Sequence, residues 1–151
     1  MSSSNGMPEP MARRLGYVLK RAQNALRTRM DDALRPLGIT APQYAVLTAI
    51  ELEPGLSNAA LARAAFVTPQ TMQGIVANLE RDGLLQRSGD PAHGRILKTE
   101  LTPHGAAVLA KAHAAVADVE AAMIGTLSAP DVIRLTALLA TCADNFAADP
   151  G

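Results

Sequence analysis

The chain has 151 residues, 14 Lys plus Arg against 14 Asp plus Glu, and one cysteine, so it suits a single domain and can form no internal disulfide. Apolar residues make up 48% and aromatics 3%, which excludes a disordered chain and argues against an aromatic-lined enzyme pocket or the stacking platforms of single-stranded nucleic acid binding. No apolar run reaches the ~18–20 residues of a membrane span and the first ten residues lack signal-peptide features, so the cytoplasm is the expected location; zero net charge at first argues against a nucleic acid partner.

Residues 1–10, rich in Ser, Asn, Gly and Pro, read as a flexible tail. From Met11 apolar residues recur at three- and four-residue steps (Leu15, Val18, Leu19, Ala22, Leu26, Met30, Leu34), which predicts a long amphipathic helix broken near Pro36 and Gly38. Thr40 and Gln43 have capping-box spacing before a second helix that turns Tyr44, Leu47 and Ile50 inward. Pro54-Gly55 stops it. Ser57 caps a third, short helix, and Thr68-Pro69 opens a fourth that buries Met72, Ile75, Val76 and Leu79 before ending at Gly83. The segments 84–87 and 95–101 then read as a hairpin around a polar turn. Thr102-Pro103 begins a fifth helix and Ser128-Ala129-Pro130 a sixth, whose stripe includes Leu135, Leu138, Leu139, Cys142 and Phe146.

This order predicts a mainly α fold, a winged helix-turn-helix of six helices plus a two-stranded β-wing. The second helix of such a unit fits the DNA major groove, and the wing reaches the backbone or minor groove beside it. On the fourth helix Thr68, Pro69, Gln70, Thr71, Gln73 and Gly74 are placed to meet DNA, since base edges are read near the N-terminus. Gln can bond adenine through both its oxygen and its nitrogen. A surface helix meeting only water fits the same pattern. The segment 63–98 holds five basic residues (Arg63, Arg81, Arg87, Arg95, Lys98) and three acidic ones (Glu80, Asp82, Asp90), a net of +2. Arg87, His93, Arg95 and Lys98 are the candidate wing contacts, and a solvated charge cluster is the competing reading.

Three segments resemble the MarR family of bacterial transcriptional regulators over about residues 12–147. They are Gly38-Ile39-Thr40-Ala41-Pro42-Gln43-Tyr44, the stretch Val76 to Arg87, and Asp90-Pro91-Ala92-His93-Gly94-Arg95 followed by Leu101-Thr102-Pro103-His104-Gly105. Two positions depart from the pattern: His93 stands where the wing usually has an acid, and Gly74 where many members are basic. The resemblance implies a homodimer built from intertwined terminal helices (11–37 and 102–147) around a DNA-binding lobe (38–101), within one domain spanning 11–147 ahead of a frayed 148–151. It implies a repressor that binds a pseudo-palindromic operator and is released by a small, often aromatic or phenolic ligand. Tyr17, Arg21 and Tyr44 are the candidate ligand contacts, with core or interface aromatics and a solvated arginine as the other reading. A winged-helix dimer acting as a protein-interaction module is the alternative function, and an enzyme is the third.

No cofactor and no metal is expected: His93, His104 and His113 lack Cys or acidic partners at ligand spacing. Cys142, on an apolar stripe, reads as a small core hydrophobe rather than a redox switch. After residue 110 the charge is acidic, with Lys111 and Arg134 against Asp118, Glu120, Asp131, Asp144 and Asp149.

Overall fold

Four hydroxyl residues start four helices. Thr40, Ser57, Thr68 and Ser128 each accept a hydrogen bond from the backbone N–H three residues on, satisfying a donor that has no partner inside the helix. At Thr40 the bond is reciprocal, because the Gln43 side chain accepts from the Thr40 N–H at 3.0 Å. The computed structural model describes residues 9–89 and 97–148. Its order is α1 (Glu9–Ala12), α2 (Leu15–Leu34), a 3-10 turn (Arg35–Leu37), α3 (Ala41–Leu52), α4 (Asn58–Ala65), α5 (Pro69–Arg81), β1 (Leu85–Gly89), β2 (Leu97–Leu101), α6 (Pro103–Ile124) and α7 (Ala129–Ala147).

The first predicted helix is two helices. Helix starts at Glu9, inside the expected tail, and the chain leaves it at Arg13 and Arg14 before α2 begins. Arg14 is extended and makes no side-chain cap, so no capping signal marked this break. The described residues form two compact units that divide between Val119 and Glu120.

In the first unit the core gathers residues from α2 through α6. Leu34, Val46, Leu47, Ile50, Leu61, Met72, Val76, Leu79 and Leu109 are almost wholly buried. Met30, Tyr44 and Ile75 pack against them. Each such side chain contributes about 1.5–3 kcal/mol relative to exposure. β1 and β2 pair antiparallel from Leu85 opposite Leu101 to Gly89 opposite Leu97.

The chain then passes from wing to α6 through a tight joint. The Thr102 N–H donates to the Leu84 carbonyl at 3.1 Å. The Thr102 hydroxyl donates to the Gly83 carbonyl at 2.5 Å and accepts from the Gly105 N–H at 2.9 Å. Gly105 lies so close to Leu84 that a Cβ there would run into the Leu84 carbonyl group. The Leu101-Thr102-Pro103-His104-Gly105 motif thus locks the start of α6 onto the end of α5.

Two apolar stripes are largely exposed among the described residues. On α2 only Leu34 is buried, and Leu15, Val18 and Leu19 are exposed. On α7 no residue is buried, and Ile133, Leu135, Leu138 and Phe146 are exposed. Cys142, expected in a core, is therefore only half-buried, because the stripe that carries it is uncovered.

Candidate nucleic-acid interface

Helix α5 divides its residues between two surroundings. Met72, Val76 and Leu79 are fully buried, while Thr68, Pro69, Gln70, Thr71, Gln73 and Gly74 are all exposed. Gln70 and Gln73 are three residues apart and so lie on one face. A Cβ at Gly74 would meet nothing within 4 Å, leaving room for close approach of another molecule.

The start of α5 is shaped by its cap. The Thr68 hydroxyl accepts from the Thr71 N–H at 3.1 Å and donates to the Thr71 hydroxyl at 3.0 Å. Pro69 has no N–H, so the backbone N–H of Gln70 is the first donor available to a phosphate at the positive end of the helix dipole. Asn58, the first residue of α4, donates through its side chain to the Pro69 carbonyl at 3.1 Å and ties the two helices of the motif together. Thr68 and Thr71 therefore hold the helix start in shape, and the free side-chain amides belong to Gln70 and Gln73.

The wing residues separate onto two faces. In the register, Arg87 lies opposite Thr99 and Lys98 opposite Ser88. Side chains alternate along a strand, so Arg87 shares the inner face with Leu85 and Thr99, while Lys98 faces the other way. Thr99 is buried, and Arg87 with Thr99 lines a cavity of about 200 Å³ beside the turn after α3. That turn is pinned to the wing by the Gly55 N–H, which donates to the Thr99 carbonyl at 3.2 Å. His93 and Arg95 lie outside the described residues.

Three basic groups of this surface carry acidic neighbours. Arg81 lies 3.7 Å from Asp82, Arg87 3.9 Å from Glu80, and Lys98 3.5 Å from Glu100. Exposed pairs at these distances add little stability, about 0–1 kcal/mol. Their effect on a polyanion is larger: each carboxylate offsets part of the attraction its partner would exert on phosphate.

The three candidate ligand contacts do not line one pocket. Tyr17 lines an open cleft of about 540 Å³ with Met11, Arg14, Leu15, Gly16 and Lys20, and neither Arg21 nor Tyr44 is part of it. Tyr44 instead joins a chain of polar groups that sequence reasoning missed. Its hydroxyl lies 2.8 Å from His113 Nδ1, and His113 Nε2 lies 2.9 Å from Glu51. The Tyr44 ring also meets the imidazole edge-on, at 5.4 Å between centroids. The one clue in the sequence is that Tyr44 and Glu51 are seven residues apart, two turns along one face of α3.

Comparison with known proteins places this architecture. The family model described as "MarR family" matches residues 37–96. The HTH-type transcriptional repressor Rv2887 of Mycobacterium tuberculosis is 40% identical over 116 residues, covering 77% of this chain and 84% of that protein. Its structure in complex with salicylic acid superposes with a TM-score of 0.72 at 37% identity, covering 85% of this chain and 96% of the other. Its structure in complex with DNA superposes at 0.68 with 35% identity, covering 85% and 97%. The transcriptional repressor CouR, bound to a 23-mer DNA duplex, superposes at 0.80 with 29% identity, covering 89% and 96%.

Proposed function

The chain belongs to the MarR family, and from that premise we propose that it is a homodimeric transcriptional repressor that reads a pseudo-palindromic operator in double-stranded DNA. The observation that carries this reading is the division of α5: a fully buried stripe behind, and an exposed face that presents Gln70 and Gln73. The amides of Gln70 and Gln73 select base edges, and the N-terminus of α5 meets the backbone. Lys98, and Arg87 once it leaves Glu80, supply phosphate contacts from the wing, and His93 and Arg95 act at its tip.

The uncovered stripes of α2 and α7 support the dimer, since each leaves contiguous apolar residues in water in a single chain. Two copies related by a two-fold axis then meet half-sites about one helical turn apart. Rv2887 in complex with salicylic acid supports a small aromatic acid as the releasing ligand. Tyr17, with Arg14 and Lys20 beside it in an open cleft, offers an aromatic ring and two cations to such a carboxylate. We place Arg21 and Tyr44 with this function too, Tyr44 through the contact it makes with α6. The site chemistry gives no catalytic assignment, and the cytoplasm is the compartment that this role requires.

Selection from a random duplex library, followed by titration over a range of salt, tests the proposal. A recovered palindrome with salt-sensitive affinity supports it. Because three basic groups of this face, Arg81, Arg87 and Lys98, have acidic neighbours, the salt slope should be shallow, with few phosphates neutralised. Recovery of no preferred sequence favours the protein-interaction reading instead.

A further inference from the structure

The turn between α4 and α5 contains a residue for which the folded chain has no use. Phe66 is 95% exposed, more than any other large hydrophobic side chain among the described residues. Its backbone is left-handed, at φ 56° and ψ 41°, and among the described residues no other side-chain-bearing residue has positive φ. The Phe66 N–H closes back on the Ala62 and Arg63 carbonyls, and the Val67 N–H reaches the Ala62 carbonyl at 3.0 Å. This is the helix ending in which glycine is the usual occupant. A Cβ in that conformation is strained where glycine is not, and a phenyl ring left in water forgoes the benefit of burial. Both are unfavourable, and no packing among the described residues offsets them.

The position of the residue identifies what does. Phe66 lies two residues before the Thr68 cap, in the turn that leads into the exposed Thr68, Pro69 and Gln70 at the reading end of α5. Arg63, exposed in the last turn of α4, gives the same edge a positive charge. An exposed apolar ring in the turn that leads into the reading helix, three residues after a basic one, suits the apolar parts of a duplex. Those are the thymine C5-methyl at the groove edge and the face of the deoxyribose. We propose that Phe66 is a DNA-contacting residue whose ring packs against this apolar edge of the operator. The proposal rests on the DNA-binding reading of α5. It explains why a strained, exposed aromatic occupies a position that glycine would fill without strain.

The test compares the full-length wild type with Phe66→Gly and Phe66→Leu on the selected operator, by anisotropy titration, thermal melting and sedimentation. Phe66→Gly relieves the backbone, so its Tm should hold or rise by a few degrees, while operator Kd weakens by roughly 5- to 30-fold. Phe66→Leu, which keeps an apolar side chain, should recover part of that loss. Replacing operator thymines by deoxyuracil distinguishes the two apolar partners. Loss of the difference between wild type and Phe66→Gly assigns the methyl, and its persistence assigns the sugar. Unchanged operator affinity in Phe66→Gly, or a change in its oligomeric state, overturns the proposal and leaves the DNA reading intact. Absence of any duplex preference in the wild type overturns both.

Discussion

Replacing Gly105 with alanine should destabilise the protein through a single methyl group. Alanine is the better helix former by about 1 kcal/mol, so propensity alone predicts stabilisation. Sterics predict the reverse, because the new Cβ would overlap the Leu84 carbonyl group, with the Leu84 carbonyl carbon only 2.9 Å away. Leu84 cannot easily yield: its N–H bonds the Leu79 carbonyl at 2.9 Å, and its own carbonyl accepts from Thr102. Separating α6 from this strand weakens the two Thr102 bonds, at about 0.5–1.5 kcal/mol each. It also strains the core around Leu84, Leu85 and Leu109, which typically costs about 1–3 kcal/mol. The net expectation is a loss of roughly 2–4 kcal/mol, or about 5–15 °C in Tm for a chain of this size. Gly74→Ala is the matched control, also in a helix but with open space around its Cβ. It should gain about 0.5–1 kcal/mol. Differential scanning calorimetry at one fixed protein concentration measures both. A Gly105→Ala melting point within about 2 °C of wild type, or shifts of the same sign for both variants, would refute the steric argument.

Further outcomes follow from the same geometry. Gln73→Ala should relax discrimination at one base pair by about 1–3 kcal/mol, read by competition with single-base operator variants; an unaltered preference removes Gln73 from the reading set. Glu80→Gln frees Arg87 from its 3.9 Å partner and should steepen the salt dependence of duplex binding by roughly one unit of slope. If the slope stays the same, Arg87 does not reach phosphate. Tyr44→Phe withdraws the hydroxyl from His113 and should lower stability by about 1 kcal/mol. In a double-mutant cycle with His113→Ala the two losses should overlap by about 0.5 kcal/mol or more. Strict additivity would mean that the 2.8 Å contact contributes nothing.

The features legible in the sequence are those governed by local chemistry. Thr40 with Gln43, Ser57, Thr68 and Ser128 each announce a helix because the side chain that caps it is only three residues from the N–H it binds. The stripe of Met72, Val76 and Leu79 was equally readable, because burial follows the helical period. Features set by contact across the fold were hidden. His113 is 69 residues from Tyr44 and 62 from Glu51, too far apart for any spacing rule to link them. Arg87 looked like a free wing cation. Only the strand register sets it on the face of Leu85 and Thr99, where, still exposed, it lies 3.9 Å from Glu80. The left-handed turn at Phe66 gave no signal, since the residue that usually marks such a turn is missing from it.

The joint between α5 and α6 has a mechanical consequence. Gly83 and Leu84, just past the end of α5, are bonded to Thr102, and Gly105 removes the side chain that would cushion the contact. Little compliance is left, so a rotation of the first turn of α6 is transmitted to α5 as to a rigid arm. With 13 residues, α5 is about 20 Å long at 1.5 Å per residue. A turn of roughly 10° about one end then carries the other end about 3.5 Å, close to the 3.4 Å rise of one base step. A ligand that tilts the first turn of α6 by that small angle would shift Gln70 by about 3 Å and Gln73 by about 2 Å, a large part of a base step.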